Sequence, residues 1–185
     1  MKRRLFIALN LPEELKDSIE REVEKIRYQF TDDIRFTDRK QWHVTITFLG
    51  YQNDETINSI IKSMNDVCGH FQPPTVEFSD INYGPKKGTP RMIWLNGNLK
   101  SSRNLQKLKD DLENKLVDNG VVFKREHRQL SVHLTLARLV TGKNLLPLNL
   151  PFKNHIEIPT LDLMESRLAR KDADYELLQA TNFQI

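Results

Sequence analysis

The stretch Gln41–Gly50, QWHVTITFLG, is answered about ninety residues later by Val132–Arg138, VHLTLAR. Each copy reads His, aliphatic, Thr, aliphatic. Side chains alternate between the two faces of a β-strand, so positions i and i+2 point the same way. His43 and Thr45 therefore share one face, opposite Val44, Ile46 and Phe48; His133 and Thr135 share another, opposite Leu134 and Leu136. A core strand normally turns only apolar groups inward, and a lone strand His is most often a hydrogen-bonded structural residue. Two His-x-Thr strands at matching places in one chain require a different reason, and two His-Thr pairs converging on a single phosphate supply one.

The flanks of the two motifs repeat as well. A strand over Leu5–Leu9, a helix over 13–30 and the His43 strand are paralleled by a strand at Ile93, a helix over 102–118 and the His133 strand. Such self-similarity predicts a duplicated unit, and with two copies it predicts two pseudo-two-fold-related lobes, not a solenoid. Further elements follow from pattern. Pro12 with Glu13 and Glu14 opens the first helix, on which Leu15, Ile19, Val23, Ile26 and Phe30 keep helical spacing. Asp54 reads as the cap of a helix carrying Ile57, Ile60, Ile61, Met64 and Val67 and ending at Gly69, and Gly50 as the end of the motif strand. Ser101 or Ser102 reads as the cap of a helix with Leu105, Leu108, Leu112 and Leu116, which stops at Asn119-Gly120. Short strands are expected at Ile34–Phe36, Thr75–Phe78, Met92–Leu95, Val121–Phe123, Ile156–Ile158, Leu161–Leu168 and Tyr175–Phe183. The last two form a hairpin across Arg170–Asp174. Residues 84–90, GPKKGTP, are a turn-rich connection, and 141–153 are read as loop.

Composition bounds the function. The 185 residues, 38% hydrophobic and 29% charged with a net charge of +3, suit one domain, 1–185, with a sizeable core and a polyanionic partner. The single cysteine, Cys68, permits no intramolecular disulfide. No apolar run approaches the roughly 18 residues needed to span a bilayer. The opening MKRRLFIALNLPEE reads as a first strand because no small-residue cleavage site follows its short apolar run. A cytoplasmic, monomeric protein without membrane contact is expected.

Two imidazoles facing one phosphorus permit general acid–base catalysis. An ordinary His pKa of about 6.5 allows one ring to be neutral and the other charged near neutrality. The Thr hydroxyls, on the same face, are placed to donate to phosphate oxygens. One His per strand makes a poor zinc site, and neither a G-x-S-x-G nor a GK[ST] loop occurs. No metal or other cofactor is expected.

The paired motifs resemble those of the 2H phosphoesterases, and most closely the RNA 2′,3′-cyclic phosphodiesterases once described as 2′-5′ RNA ligases. RRLFIALNLP (3–12), RMIWLNGNL (91–99) and LMESRLARKDADYELL (163–178) extend the resemblance along the chain. It implies an α+β, bilobal fold with antiparallel sheets lining a central cleft and helices outside. It implies His43 as proton donor and His133 as proton acceptor, with Thr45 and Thr135 binding phosphate. The implied reaction opens the terminal 2′,3′-cyclic phosphate of an RNA or nucleotide to a 2′-phosphomonoester without metal. The residues themselves leave acid and base open, since the motifs are nearly symmetric. They also leave open RNA ligation, the reverse reaction, and a non-catalytic nucleotide-binding module. The segment TGKNLLPLNLPF (141–152) departs from the pattern, being short and Pro-interrupted where a helix would match the 54–68 helix.

Secondary candidates for substrate binding are Arg138, Tyr175, Lys86, Lys87, Arg91 and Arg125, with Lys124 and Arg128 in the same basic run. Strict alternation turns Arg138 away from His133. Trp42 and Trp94 border strands and read as core residues before base-stacking platforms.

Overall fold

The computed structural model describes residues 2–30, 34–140, 145–168 and 173–184. Its two sheets are built around the two motif strands. The first lobe contains β1 (Lys2–Asn10), followed by α1 (Glu13–Arg27). β2 (Ile34–Phe36) crosses to the second sheet and pairs there with the second motif strand; after a 3₁₀ turn at Arg39–Gln41 the chain returns as the first motif strand β3 (His43–Asn53), then α2 (Asp54–Cys68). The second lobe contains β4 (Thr75–Gly84), β5 (Met92–Gly97), α3 (Leu99–Asp118) and the second motif strand β6 (His133–Leu139). The chain closes with β7 (Asn149–Glu157), β8 (Thr160–Leu168) and β9 (Ala173–Asn182).

The sheets have strand orders β3-β1-β8-β9 and β2-β6-β5-β4-β7, with antiparallel pairing throughout. The fold is α+β and bilobal. The repeat expected from the sequence survives in the pairing. β1 lies against β3 and β5 against β6, so that Asn10 stands opposite His43 and Asn96 opposite His133. Both asparagines reach a carboxylate on the strand beyond, Asn10 Nδ2 donating to Asp162 at 2.7 Å and Asn96 Nδ2 to Asp80 at 3.0 Å.

Each sheet turns one face to the core. Leu5, Ile7 and Leu9 of β1 alternate inward with Val44 and Ile46 of β3; Ile93 and Leu95 do so with Leu134 and Leu136. The helices close the same core through Leu15, Ile19 and Val23, through Ile60, Met64 and Val67, and through Leu105, Leu108 and Leu112. α2 packs on α3 and on strands of the first sheet, and α3 touches both β3 and β4. Among the described residues no helix is long and apolar enough to cross a membrane.

Several expected boundaries are corrected. β3 runs past Gly50, which sits in a bulge with φ of +69° where Leu5 pairs with it and Phe6 pairs with Phe48. Asn53, not Asp54, is the cap of α2, and Asp54 lies in the first turn where its charge suits the dipole. Asn98 caps α3, accepting from the Ser101 N–H at 2.8 Å. Ser101 instead accepts the Glu77 N–H at 2.7 Å and ties the helix to β4. Val121–Phe123 forms no strand; Val121 is buried, and the Val122 carbonyl accepts from the Gln52 side chain at 2.9 Å. Within the span read as loop, 141–144 lie outside the described residues, but Asn149 onward is strand β7. Among the described strands β7 pairs only with β4 and is an edge, where Pro151 removes no needed hydrogen bond. The β8–β9 hairpin is as expected, although residues 169–172 of its connection are not among those described.

Candidate active site

Between the sheets lies a cleft of about 1010 Å³, and His43, Thr45, His133 and Thr135 all line it. Each imidazole is held by the same local device. His43 Nδ1 lies 2.7 Å from the Gln41 carbonyl oxygen, and His133 Nδ1 lies 2.7 Å from that of Ser131. A carbonyl only accepts, so Nδ1 carries the proton in both rings. In the neutral ring Nε2 is then left as a free base. The Thr45 hydroxyl has no partner among the described residues, and that of Thr135 makes only a 3.9 Å contact to the Met92 sulfur. Both hydroxyls are free to donate.

Aromatic rings fix the imidazoles from the side. Trp94 stacks on His133 with centroids 4.0 Å apart, which corrects its reading as a core residue; Trp42 is the buried tryptophan. Gly84 makes room for that indole, because a Cβ there would run into the Trp94 ring. His43 is flanked by Phe6 at 4.9 Å and Tyr175 at 5.1 Å, and those two rings meet at 5.2 Å. This packing affects protonation. Burial pushes the His43 pKa down to about 4; the bond to Gln41 opposes the shift and the nearby His133 charge adds to it. Burial likewise holds His133 below the ordinary range, against its bond to Ser131 and with help from Arg128. Both rings are thus neutral at pH 7, not one neutral and one charged as their ordinary values suggest.

The charge around them is positive. Arg4, Arg35, Arg91, Arg128 and Arg138 line the cleft, and no Asp or Glu appears among its described lining residues. Arg128 is paired with Glu126 at 2.8 Å, whereas Arg4, Arg35, Arg91 and Arg138 have no carboxylate partner among the described residues. A low-dielectric, cationic cavity of this kind attracts and holds an anion.

Arg138 reaches the cleft through a break in the alternation. β5 and β6 slip register between Ile93 and Trp94, so that Trp94 faces Thr135 and Ile93 faces Ala137. Leu136 and Ala137 are both buried, and Arg138 returns to the His133 side. β3 carries the same bulge. Ala8 faces Thr45, Ile7 faces Thr47, and Phe48, 48% exposed, turns into the cleft instead of the core. Re-aiming a side chain beside a site is a recurrent use of β-bulges. Of the other sequence candidates, Arg91 and Tyr175 also line the cleft. Lys86 and Lys87 stand on the exposed β4–β5 connection outside the lining. Arg125 is turned back onto α3, donating to the Glu113 carbonyl at 2.6 Å and to Asn114 at 3.0 Å. Sequence reasoning missed Arg4, Arg35, Phe6 and the cleft orientation of Phe48.

A family model described as LigT like Phosphoesterase matches residues 9–94. A Methanocaldococcus jannaschii protein named RNA 2′,3′-cyclic phosphodiesterase is 28% identical over 137 residues, covering 74% of this chain and 71% of its own. One of the same name from Bacillus subtilis is 24% identical over 155 residues, covering 80% and 78%. Among solved structures, TT0787 of Thermus thermophilus superposes with a TM-score of 0.80 at 23% identity over 97% of both chains. E. coli LigT complexed with 3′-AMP gives 0.76 at 22% identity over the full length of both. A cationic cleft between two antiparallel sheets, together with these relatives, defines an enzyme of the phosphoesterase class. The chain is thus similar to the LigT-like phosphoesterases over residues 9–94, and over most of its length to proteins named RNA 2′,3′-cyclic phosphodiesterase.

Proposed function

We propose that this enzyme hydrolyses the terminal 2′,3′-cyclic phosphate of RNA to a 2′-phosphomonoester, by two-histidine acid–base catalysis without a metal. The observation that carries the reading is the pair of imidazoles in one cationic cleft, each tethered through Nδ1 and presenting Nε2. Water attacks phosphorus and gives its proton to His133 Nε2. The P–O3′ bond breaks, and protonated His43 delivers its Nε2 proton to the departing 3′-oxygen. One proton is taken and one given, so the two rings exchange roles at the end of a turnover. Thr45 and Thr135 donate to the non-bridging oxygens, and Arg138 and Arg91 balance the phosphate charge. Donors aimed at developing charge in a water-poor site contribute heavily to such a reaction. The described lining offers two imidazoles and no carboxylate, an unsuitable donor set for Mg²⁺ or Ca²⁺. The RNA 2′,3′-cyclic phosphodiesterase names of the relatives support the substrate class. A cytoplasmic monomer in which the two lobes act as one unit fits this role. A 2′,3′-cyclic nucleotide should be turned over in excess chelator to give only the 2′-phosphate; a 3′-phosphate product, or no turnover, counts against the scheme.

The mechanism needs His43 charged, yet burial makes it the harder ring to protonate. A bound anion reverses that order by favouring the imidazolium. Sulfate stays a dianion across the relevant range and isolates the effect. Its affinity should weaken as pH rises above the free-ring values, by up to about tenfold per unit, with one proton taken up on binding. His43→Gln should abolish the uptake. If His133→Gln abolishes it and His43→Gln does not, the acid and base assignments exchange.

A further inference from the structure

A second groove of about 310 Å³ opens beside the cleft, lined by Lys2, Arg3, Arg4, Tyr51, Glu165, Ser166 and Arg167, and it shares Arg4 and Ser166 with the cleft. The register explains the continuity. The cleft face of β1 presents Asn10, Ala8, Phe6 and Arg4 in turn, and the bulged β3 presents His43, Thr45, Phe48 and Tyr51 opposite them. Two bulges are needed for this, one near Ile46 and one near Leu49. They keep four chemically distinct side chains in one row, which strict alternation would have split between core and surface. The row starts at the phosphate-facing His and Thr and continues through two exposed aromatic rings, Phe48 at 48% and Tyr51 at 64%. Beside the rings stand Arg4 and Lys2, with no carboxylate partner among the described residues. Glu165, the one acid in the groove's described lining, is 8% exposed and held by Arg3 and Arg167 at 3.3 Å each, so it presents little charge outward.

We infer that this row is the path of the RNA strand 5′ of the cyclic phosphate, so that the enzyme selects oligonucleotide ends over cyclic mononucleotides. Aromatic faces spaced along a cationic groove are how single strands are held without reading sequence, each base stacking on a ring while its phosphate meets a cation. Phe48 takes the first base upstream and Tyr51 the next, with Arg4 and Lys2 against the intervening phosphates. No acceptor pattern distinguishes bases along the row, so the preference is for length.

The inference rests on the cyclic-phosphate reading, and the experiment separates the two. kcat/KM is measured for a tetranucleotide with a 2′,3′-cyclic end and for the matching cyclic mononucleotide, together with binding of the fluorescently labelled tetranucleotide. Wild type should favour the tetranucleotide. Tyr51→Ala should lower that preference about tenfold, Tyr51→Phe should retain it, and turnover of the mononucleotide should be the same in all three. Tyr51 is a surface residue, so its truncation leaves folding intact. Equal kcat/KM for both substrates, or an unchanged preference in Tyr51→Ala, overturns the path. Absence of all turnover, with tetranucleotide binding still weakened by Tyr51→Ala, overturns the catalytic reading and keeps the path.

Discussion

Replacing His43 or His133 with alanine should lower turnover of a cyclic nucleotide by about 10²–10⁴-fold, the usual contribution of a positioned proton donor or acceptor. The two losses arise in different ways. Without His133 the attacking water keeps its proton, so the rate should recover partly as hydroxide increases. Without His43 the 3′-oxygen leaves as an alkoxide, and substrates with more acidic leaving groups should be spared. Because the rings work on one transfer, the double replacement should cost little more than the worse single one. On the proposed scheme the residual catalysis should then come from Thr45, Thr135 and the guanidiniums. Single-turnover rates with chemically equivalent substrates of differing leaving group give both readouts. Unchanged activity in either single variant removes that ring from the reaction. Glutamine at either position controls for packing, since Trp94 stacks directly on His133 and Phe6 and Tyr175 crowd His43.

The two His-x-Thr faces were legible because i to i+2 alternation needs only three residues to hold, and three residues precede each bulge. Beyond Thr45 and Thr135 the alternation slips, and reasoning by period two put Phe48 and Arg138 on the wrong side. No residue type in TITFLG or TLARL announces an extra residue, since the bulge answers the twist between strands paired far apart in sequence. The cationic lining was hidden for a related reason. Arg4 and Arg35 come from strands whose neighbours are set by topology, although the inward run of Leu5, Ile7 and Leu9 implied that Arg4 and Phe6 face the other way. Only the end of β7 was legible, at Ile156; its earlier part escaped because an edge strand carrying Pro151 and two asparagines lacks both alternation and a continuous apolar run. The α3 cap, expected at Ser101 or Ser102, was misplaced by three or four residues for want of knowing that Ser101 is committed to β4. Amphipathic helices, whose signal spans several turns, were recovered more fully than their ends.

Glu113→Ala should destabilise the fold by about 3–5 kcal/mol, the range for removing one member of a buried ion pair. Lys109 and Glu113 are one turn apart on α3, with side chains 5% and 6% exposed and Nζ 2.6 Å from Oε1. Glu113 Oε1 also accepts from the Thr47 hydroxyl at 2.8 Å, and Lys109 Nζ donates to the Glu126 carbonyl at 3.3 Å. Alanine leaves an ammonium inside with one weak acceptor, and orphans a hydroxyl on β3. The drop should appear in urea unfolding as a lower midpoint with the slope unchanged. Burying charge is itself costly, so the triple change Lys109→Met, Glu113→Leu, Thr47→Val should recover most of the loss. What the triple change does to function separates two roles for the pair. Thr47 sits between the bulge that re-aims Phe48 and the rest of β3, and Glu113 belongs to the helix of the other lobe. A triple variant as stable as wild type but with a raised KM for a cyclic-ended oligonucleotide would mark the pair as a clamp on the relative setting of the two lobes. Unaltered kinetics would reduce it to a core contact that apolar packing replaces.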